Sequence, residues 1–286
     1  MKRLLPPLMV DWLQSARRAI HPIPAEWEYL PDGWSTNNDN KIKGWSDPSI
    51  PKCQHAKWQE FLRATEGTRL LGIAHEALSP TNKDFDAHHI IMTYAYVLAL
   101  AAHKKHRLSL LDWGGGIGHY LVLSRRLMPE LDIEYFCKDL PSLCRVGREV
   151  LPEARLVDCE EEAARRGYDL VLAIGSLQYA ESWKSAVQFI GSVADGYVYV
   201  TRLPVVRHSA SFVAIQRLYA YGYDTECMGW IFNRDEFLDE VLSQGLELVR
   251  EFALEKHPMI RKGKEQPEIQ GFLLRSKGTS RPCISE

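Results

Sequence analysis

Residues 110–120 read LLDWGGGIGHY: an apolar run, one acid, three consecutive glycines, a fourth glycine two residues on, then an apolar, helix-like run. Glycine is required where φ must be positive or where a ligand lies against bare backbone. The stretch therefore predicts a strand, a tight turn and a helix, with the turn brought close to something polar. A helix that starts at such a turn also offers free N–H groups to a carboxylate or phosphate.

The turn opens an alternating series. Strands are expected at 108–113, 133–139, 155–157, 168–176 and 197–205, separated by helices at 117–128, 143–151, 160–166 and 183–193. A helix at 234–244 and strands at 246–255 and 269–276 follow, and a helix over 85–106 precedes the series. Such alternation implies an α/β chain built on a Rossmann-like, doubly wound, mostly parallel sheet. Residues 1–84 differ. They hold Trp12, Trp27, Trp34, Trp45 and Trp58, and WEYLPDGWSTNNDNKIKGW reads as loops and turns with aromatic anchors. The expected organisation is an aromatic-rich N-terminal cap or lid over 1–84, a catalytic domain over 85–276 and a flexible tail over 277–286.

Asp112 ends the first strand, and Gly114, Gly116 and Gly118 complete D-x-G-x-G-x-G at the turn. The dinucleotide fingerprint G-x-G-x-x-G fails here, because reading from Gly114 puts His119 in the place of the third glycine. Asp139 ends the second strand and is followed by Leu140 and Pro141; Asp158 and Cys159 follow the third. An acid ending a second strand can accept both hydroxyls of a ribose.

The glycine pattern resembles the first motif of class I S-adenosylmethionine-dependent methyltransferases, and Asp139-Leu140-Pro141 resembles the ribose-binding site of their small-molecule O-methyltransferases. The resemblance implies S-adenosyl-L-methionine as cofactor. The loop would face the methionine carboxylate and amine, Asp112 would lie near the amine, and Asp139 with Leu140 would hold the ribose. Asp158 and Cys159 would meet the adenine, and Gly175 and Ser176 would border the cofactor. WEYLPDGW, LLDWGGGIG, GSLQYAESW and GWIFNRDEFL resemble methyltransferases encoded in bacterial polysaccharide and secondary-metabolite clusters, over about residues 25–275.

Substrates in such sheets lie outside the carboxyl ends of the strands. A hydroxyl acceptor must lose a proton, so a general base helps. Where the O-methyltransferases carry a histidine base after the fourth strand, this chain has Gln178, which takes no proton at neutral pH. Tyr179 could orient a nucleophile or line the sulfonium pocket. His88 and His89 on the preceding helix, and His208 after the fifth strand, are the candidate bases; His119 could cap the glycine turn. Arg202 could pair with a substrate anion. Tyr223, Trp230 and Phe232 could wall an acceptor site, with Glu226 as a carboxylate there, and Asn233 with Glu236 reads as a helix capping box.

Net charge is −2, which argues against a broad nucleic-acid or anionic-membrane footprint. No stretch approaches the roughly 20 apolar residues of a membrane span. The six cysteines form no CxxC pair, so a cytoplasmic, disulfide-free protein without a metal site is expected. The expected function is methyl transfer to oxygen or nitrogen of a small or carrier-bound metabolite in secondary-metabolite or polysaccharide biosynthesis. The alternatives are use of the aminocarboxypropyl chain, including closure to a four-membered ring with release of methylthioadenosine, and a non-catalytic subunit that only binds. Homodimerisation is left open.

Overall fold

The computed structural model describes residues 25–37, 41–77, 84–254 and 257–278. Trp12, Cys283 and residues 279–286 of the expected tail lie outside them.

The centre is the predicted sheet. Strand β2 (Arg107–Trp113) lies between β3 (Asp132–Lys138) and β5 (Tyr168–Ile174). β4 (Arg155–Val157) flanks β3, and β6 (Ala194–Val206) flanks β5, all parallel. β11 (Glu268–Ser276) runs antiparallel between β6 and β9 (Leu246–Leu254). The chain leaves β2 toward β3 and returns to β5 on the other side. That reversal makes the crevice at the carboxyl ends of β2 and β5 the natural ligand site.

Period-two alternation places the core. Leu108 and Leu110 of β2 face one apolar cluster with α2 (Phe85–Ala101), α3 (His119–Leu127) and α4 (Pro141–Val150). Leu111 and Trp113 face the other, with α6 (Trp183–Val193) and α7 (Arg234–Ser243). Between β4 and β5, α5 spans Glu160–Ala163, shorter than expected. α2 stops at Ala101 because a turn follows, with Lys104 at a φ of 61°. α3 starts at His119 because Gly118 sits at a φ of 99° as its N-cap.

Two regions depart from the expectations. SIPKCQHAKWQEFLRA forms a helix, α1 (Ser49–Ala64), in a stretch for which no regular element was expected. Pro51 in the first turn costs no helical hydrogen bond, and Ile50, Gln54, Lys57, Trp58 and Phe61 make one buried stripe. The aromatic stretch after β6 is a sheet. β8 (Glu226–Asn233), β7 (Phe212–Arg217) and β1 (Trp27–Tyr29) pair antiparallel, and β10 (Ile260–Arg261) adds to β1 in parallel. This second sheet hangs from the first. β6 pairs with β5 up to Thr201, then with β8 at Val205 and Val206. The second sheet thus joins residues 27–29 to residues 212–233 and 260–261.

Candidate active site

The glycine turn lies where the crevice opens. Gly114 has a φ of 73°, and a Cβ there would lie 2.3 Å from Ser176 Cβ, so the turn is pressed against the end of β5. Its N–H donates to the Lys138 carbonyl at 2.7 Å. Asp139 sits beside it: Oδ2 accepts the Gly116 N–H at 2.7 Å and Oδ1 the Leu140 N–H at 2.6 Å. Burial raises its carboxyl to about 6 despite these backbone donors. Asp112 is 1% exposed and accepts the Tyr135 hydroxyl at 2.6 Å. Burial pushes Asp112 to about 7, against the Tyr135 hydrogen bond and with the charge of Asp139 adding to the rise.

These groups line a cavity of about 320 Å³, with Gly115, Gly175 and Tyr179 in its wall. A second cavity of about 630 Å³ lies beside it. Trp45, His75, Glu76, Tyr120, Gly175 and Tyr179 border both. The first cavity has the size range of a small-ligand site, and the second has room for a larger molecule.

The structure brings several of the candidates to the two cavities. Asp112, Gly114, Gly116, Asp139, Leu140, Gly175, Ser176 and Tyr179 border the smaller cavity; Gln178, Arg202 and Tyr223 border the larger. The Tyr179 hydroxyl donates to Gln216 Oε1 at 2.5 Å, and burial raises its pKa well beyond the usual tyrosine range.

Other candidates lie elsewhere. Gly118 borders neither cavity and serves as the α3 N-cap. Asp158 is half-exposed, 4.0 Å from Arg148, and Cys159 is the exposed N-cap of α5. Neither borders the cavity that holds Asp139. His88 borders neither cavity, and its Nδ1 lies 3.2 Å from the Leu71 carbonyl. His208 is exposed on the turn after β6, its N–H donating to Glu265 at 2.9 Å. Trp230 donates to the Glu181 carbonyl at 3.0 Å. Phe232 is core, against Trp183 and Phe237. Glu226 pairs with Arg217 at 3.0 Å. His89 does border the larger cavity and approaches the Ala253 carbonyl at 3.1 Å. Asn233 caps α7 through the Asp235 and Glu236 N–H groups, but the Glu236 side chain accepts from Ser211 rather than closing the box.

His75, Glu76 and Lys57, which the sequence reading passed over, gather beside His119 and Arg202, which it named. His119 is buried and stacks on His75, with ring centroids 4.2 Å apart. Burial lowers the pKa of His75, with Glu76 opposing, and lowers that of His119 well below the ordinary histidine value. His75 Nε2 lies 3.4 Å from Glu76 Oε1, and the same carboxylate pairs with Arg202. Burial alone would raise the Glu76 pKa, but the charge of Arg202 and its hydrogen bond hold it well below the carboxylate range. Glu76 in turn raises Arg202. Lys57 donates to the Glu76 and Tyr221 carbonyls at 3.0 and 2.8 Å. In the sequence, His75 and Glu76 show only as a His-Glu pair in GIAHEAL with no periodic context.

Arg202 reaches its place through a bulge. Along β11, Gln270 pairs with Leu203 but Phe272 with Val200, so β6 carries one residue more than its partner. Arg202 stands there at a φ of 60°. A bulge re-aims a side chain, and here it happens where β6 changes partners from β5 to β8.

Among the described residues, no group of three or more His, Cys, Asp or Glu could hold a metal ion, and no helix is long and apolar enough to cross a membrane. No family model matches the chain, and no curated protein matches it. The solved structures it resembles include S-adenosylmethionine-dependent methyltransferases. Magnesium protoporphyrin IX methyltransferase from Synechocystis PCC 6803, with bound SAM, is 11% identical over 80% of this chain and 95% of that one, at a TM-score of 0.48. The 1,6-didemethyltoxoflavin-N1-methyltransferase of Burkholderia thailandensis is 14% identical over 66% and 78%, at 0.45. Mitomycin 7-O-methyltransferase is 16% identical over 80% and 73%, at 0.44.

Proposed function

We propose that the chain is an S-adenosylmethionine-dependent methyltransferase acting at oxygen or nitrogen of a small or carrier-bound metabolite, of the kind made in secondary-metabolite or polysaccharide biosynthesis. One observation carries this reading. A glycine turn and two carboxylates from successive strand ends, the buried Asp112 and the half-buried Asp139, converge on one cavity that borders a second, larger one.

The residues fit the cofactor. Gly116 presents bare backbone, and a Cβ on it would come within 3.3 Å of Gln54. Each Asp139 oxygen takes one backbone donor and keeps lone-pair capacity for sugar hydroxyls. Leu140, Leu143 and Ala180 give the same cavity an apolar side for a purine.

When bound, S-adenosylmethionine supplies a methyl carbon, which bonds to the acceptor's lone pair as the carbon–sulfur bond breaks and its electron pair stays on sulfur, giving S-adenosylhomocysteine. The proton lost by the acceptor falls to His75, which borders both cavities and is held neutral by burial. With Nε2 turned to Glu76, Nδ1 carries the free lone pair, and the carboxylate stabilises the imidazolium that forms. Arg202 holds Glu76 in place, and Tyr179, tied to Gln216, forms a fixed wall between the cavities. The size of the second cavity favours a separate acceptor over ring closure of the cofactor on itself, which requires no such space.

Calorimetry tests the reading. S-adenosylhomocysteine should bind, and Asp139→Ala should weaken it by roughly 1.5–3 kcal/mol, the scale of hydrogen bonds to a charged group. In turnover, S-adenosylhomocysteine is the expected product; methylthioadenosine in its place would overturn methyl transfer in favour of the aminocarboxypropyl route.

A further inference from the structure

Gln54 belongs to the cap helix α1, far in sequence from the glycine turn, yet it borders the smaller cavity. It is 7% exposed. Its amide nitrogen faces the Tyr223 hydroxyl at 3.5 Å, while its Oε1 is buried and has no partner. A buried carbonyl oxygen without a donor is costly, and native structures leave few of them.

The glycine turn does not supply that donor. The Gly114 N–H goes to Lys138, Gly116 to Asp139 and Gly118 to Gly115. Yet Gln54 Oε1 lies over the turn, 3.3 Å from where a Gly116 Cβ would stand. The neighbouring residue, Gly115, is packed in the same way against Asp112, whose Oδ2 lies 2.4 Å from its virtual Cβ. Two successive glycines thus face two oxygen acceptors, a carboxylate from β2 and an amide carbonyl from α1. A place walled by acceptors takes a donor, and an ionising carboxylate makes a cationic donor the best match.

We propose that Gln54 Oε1, together with Asp112, receives the α-ammonium group of the cofactor, so that the cap helix completes the amino-acid end of the cofactor site. This rests on the S-adenosylmethionine reading above. The role is binding and positioning: Gln54 holds the amino-acid end and touches no reacting atom.

The test is calorimetric and uses three probes on the full chain. These are S-adenosylhomocysteine, its analogue lacking only the α-amino group, and methylthioadenosine, which has no amino-acid portion. The wild type should prefer S-adenosylhomocysteine to the deaminated analogue by tenfold or more. Gln54→Leu should lose about tenfold for S-adenosylhomocysteine and change by less than twofold for the other two. Gln54→Glu, which keeps the shape and adds charge, should hold or raise affinity for S-adenosylhomocysteine, and it carries the test if the leucine variant does not fold. Equal losses for all three probes would mean that Gln54 only supports the fold, and no loss for any would remove it from the site; either result overturns the proposal. A wild type that binds none of the probes would instead overturn the cofactor reading itself.

Discussion

At the scale of single residues, the site is built from carboxylates kept away from water. An aspartate whose folded pKa is raised from its ordinary value of 3.8 to about 7 opposes folding once it must ionise. Between about pH 4 and pH 7, the unfolded chain has already released the Asp112 proton while the folded chain keeps it. The unfolded state then binds fewer protons, so the Asp112 contribution to stability falls as pH rises and levels off above pH 7. The whole effect is at most about 4 kcal/mol. Asp112→Asn keeps an acceptor for Tyr135 and removes the ionisation. Without cofactor, this variant should gain on the wild type in thermal denaturation at pH 8 and show little gain at pH 4. Its affinity for S-adenosylhomocysteine should fall tenfold or more at pH 7.5. In the wild type, the same affinity should rise from pH 5.5 to 7.5, because a cationic amine favours the ionised carboxylate. A wild-type affinity independent of pH over that range would remove Asp112 from the ammonium site. His75 makes a separate prediction. His75→Gln should lower turnover by 10²–10⁴-fold, the usual worth of a general base, while S-adenosylhomocysteine binding persists; unchanged turnover would assign the proton elsewhere.

At the scale of elements, the β6 bulge and α1 show what sequence could and could not reveal. The strand–turn–helix around Gly114 was legible because each of its signals is local: an apolar run, glycines and an acid at the strand end. α1 was hidden by its proline and by flanks rich in tryptophan and glycine, although its buried stripe is regular. β7 went unread, and Trp230 and Phe232 of β8 were read as an acceptor wall, because the pairing of β7 and β8, and their link to β1, depend on contacts distant in sequence. His75 and Glu76 were missed for the same reason, since their meaning comes from Arg202, which is 126 positions from Glu76. That pair also makes an element-scale prediction. The Arg202 and Glu76 side chains are 29% and 19% exposed, so removing one partner strands a largely buried charge. Arg202→Met alone should cost about 3 kcal/mol, the lower end for a broken buried pair. The double variant Arg202→Met with Glu76→Gln should cost clearly less than the sum of the two singles. Additive losses in urea denaturation would show that the two do not depend on each other.

At the scale of the whole molecule, the two cavities share a wall built from both the main sheet and the residues before Ala77: Trp45, His75, Glu76, Tyr120, Gly175 and Tyr179. The Rossmann-like sheet supplies the glycine turn, Asp112 and Asp139. α1 and the segment up to Ala77 supply Trp45, Gln54, His75 and Glu76, and the second sheet supplies Trp27, Gln216 and Leu218 to the larger cavity. A ligand that touches both the sheet and α1 ties them together, and its binding energy adds to stability by mass action, about 2.7 kcal/mol at a hundred times its Kd. Amide exchange in α1, residues 49–64, should therefore slow when S-adenosylhomocysteine binds, and by more than exchange in α6 on the far face of the sheet. Methylthioadenosine at matched saturation should protect the β2–α3 turn but leave α1 nearly as it is without ligand, because it has no group to reach Gln54. Equal protection of α1 by both would mean that the cap responds to the nucleoside alone. Protection confined to the sheet would mean that the cap and the cofactor site are energetically independent. The expected pattern, with α1 responding only to the amino-acid portion, would show that the cap sets the amino-acid end of the cofactor before an acceptor occupies the larger cavity.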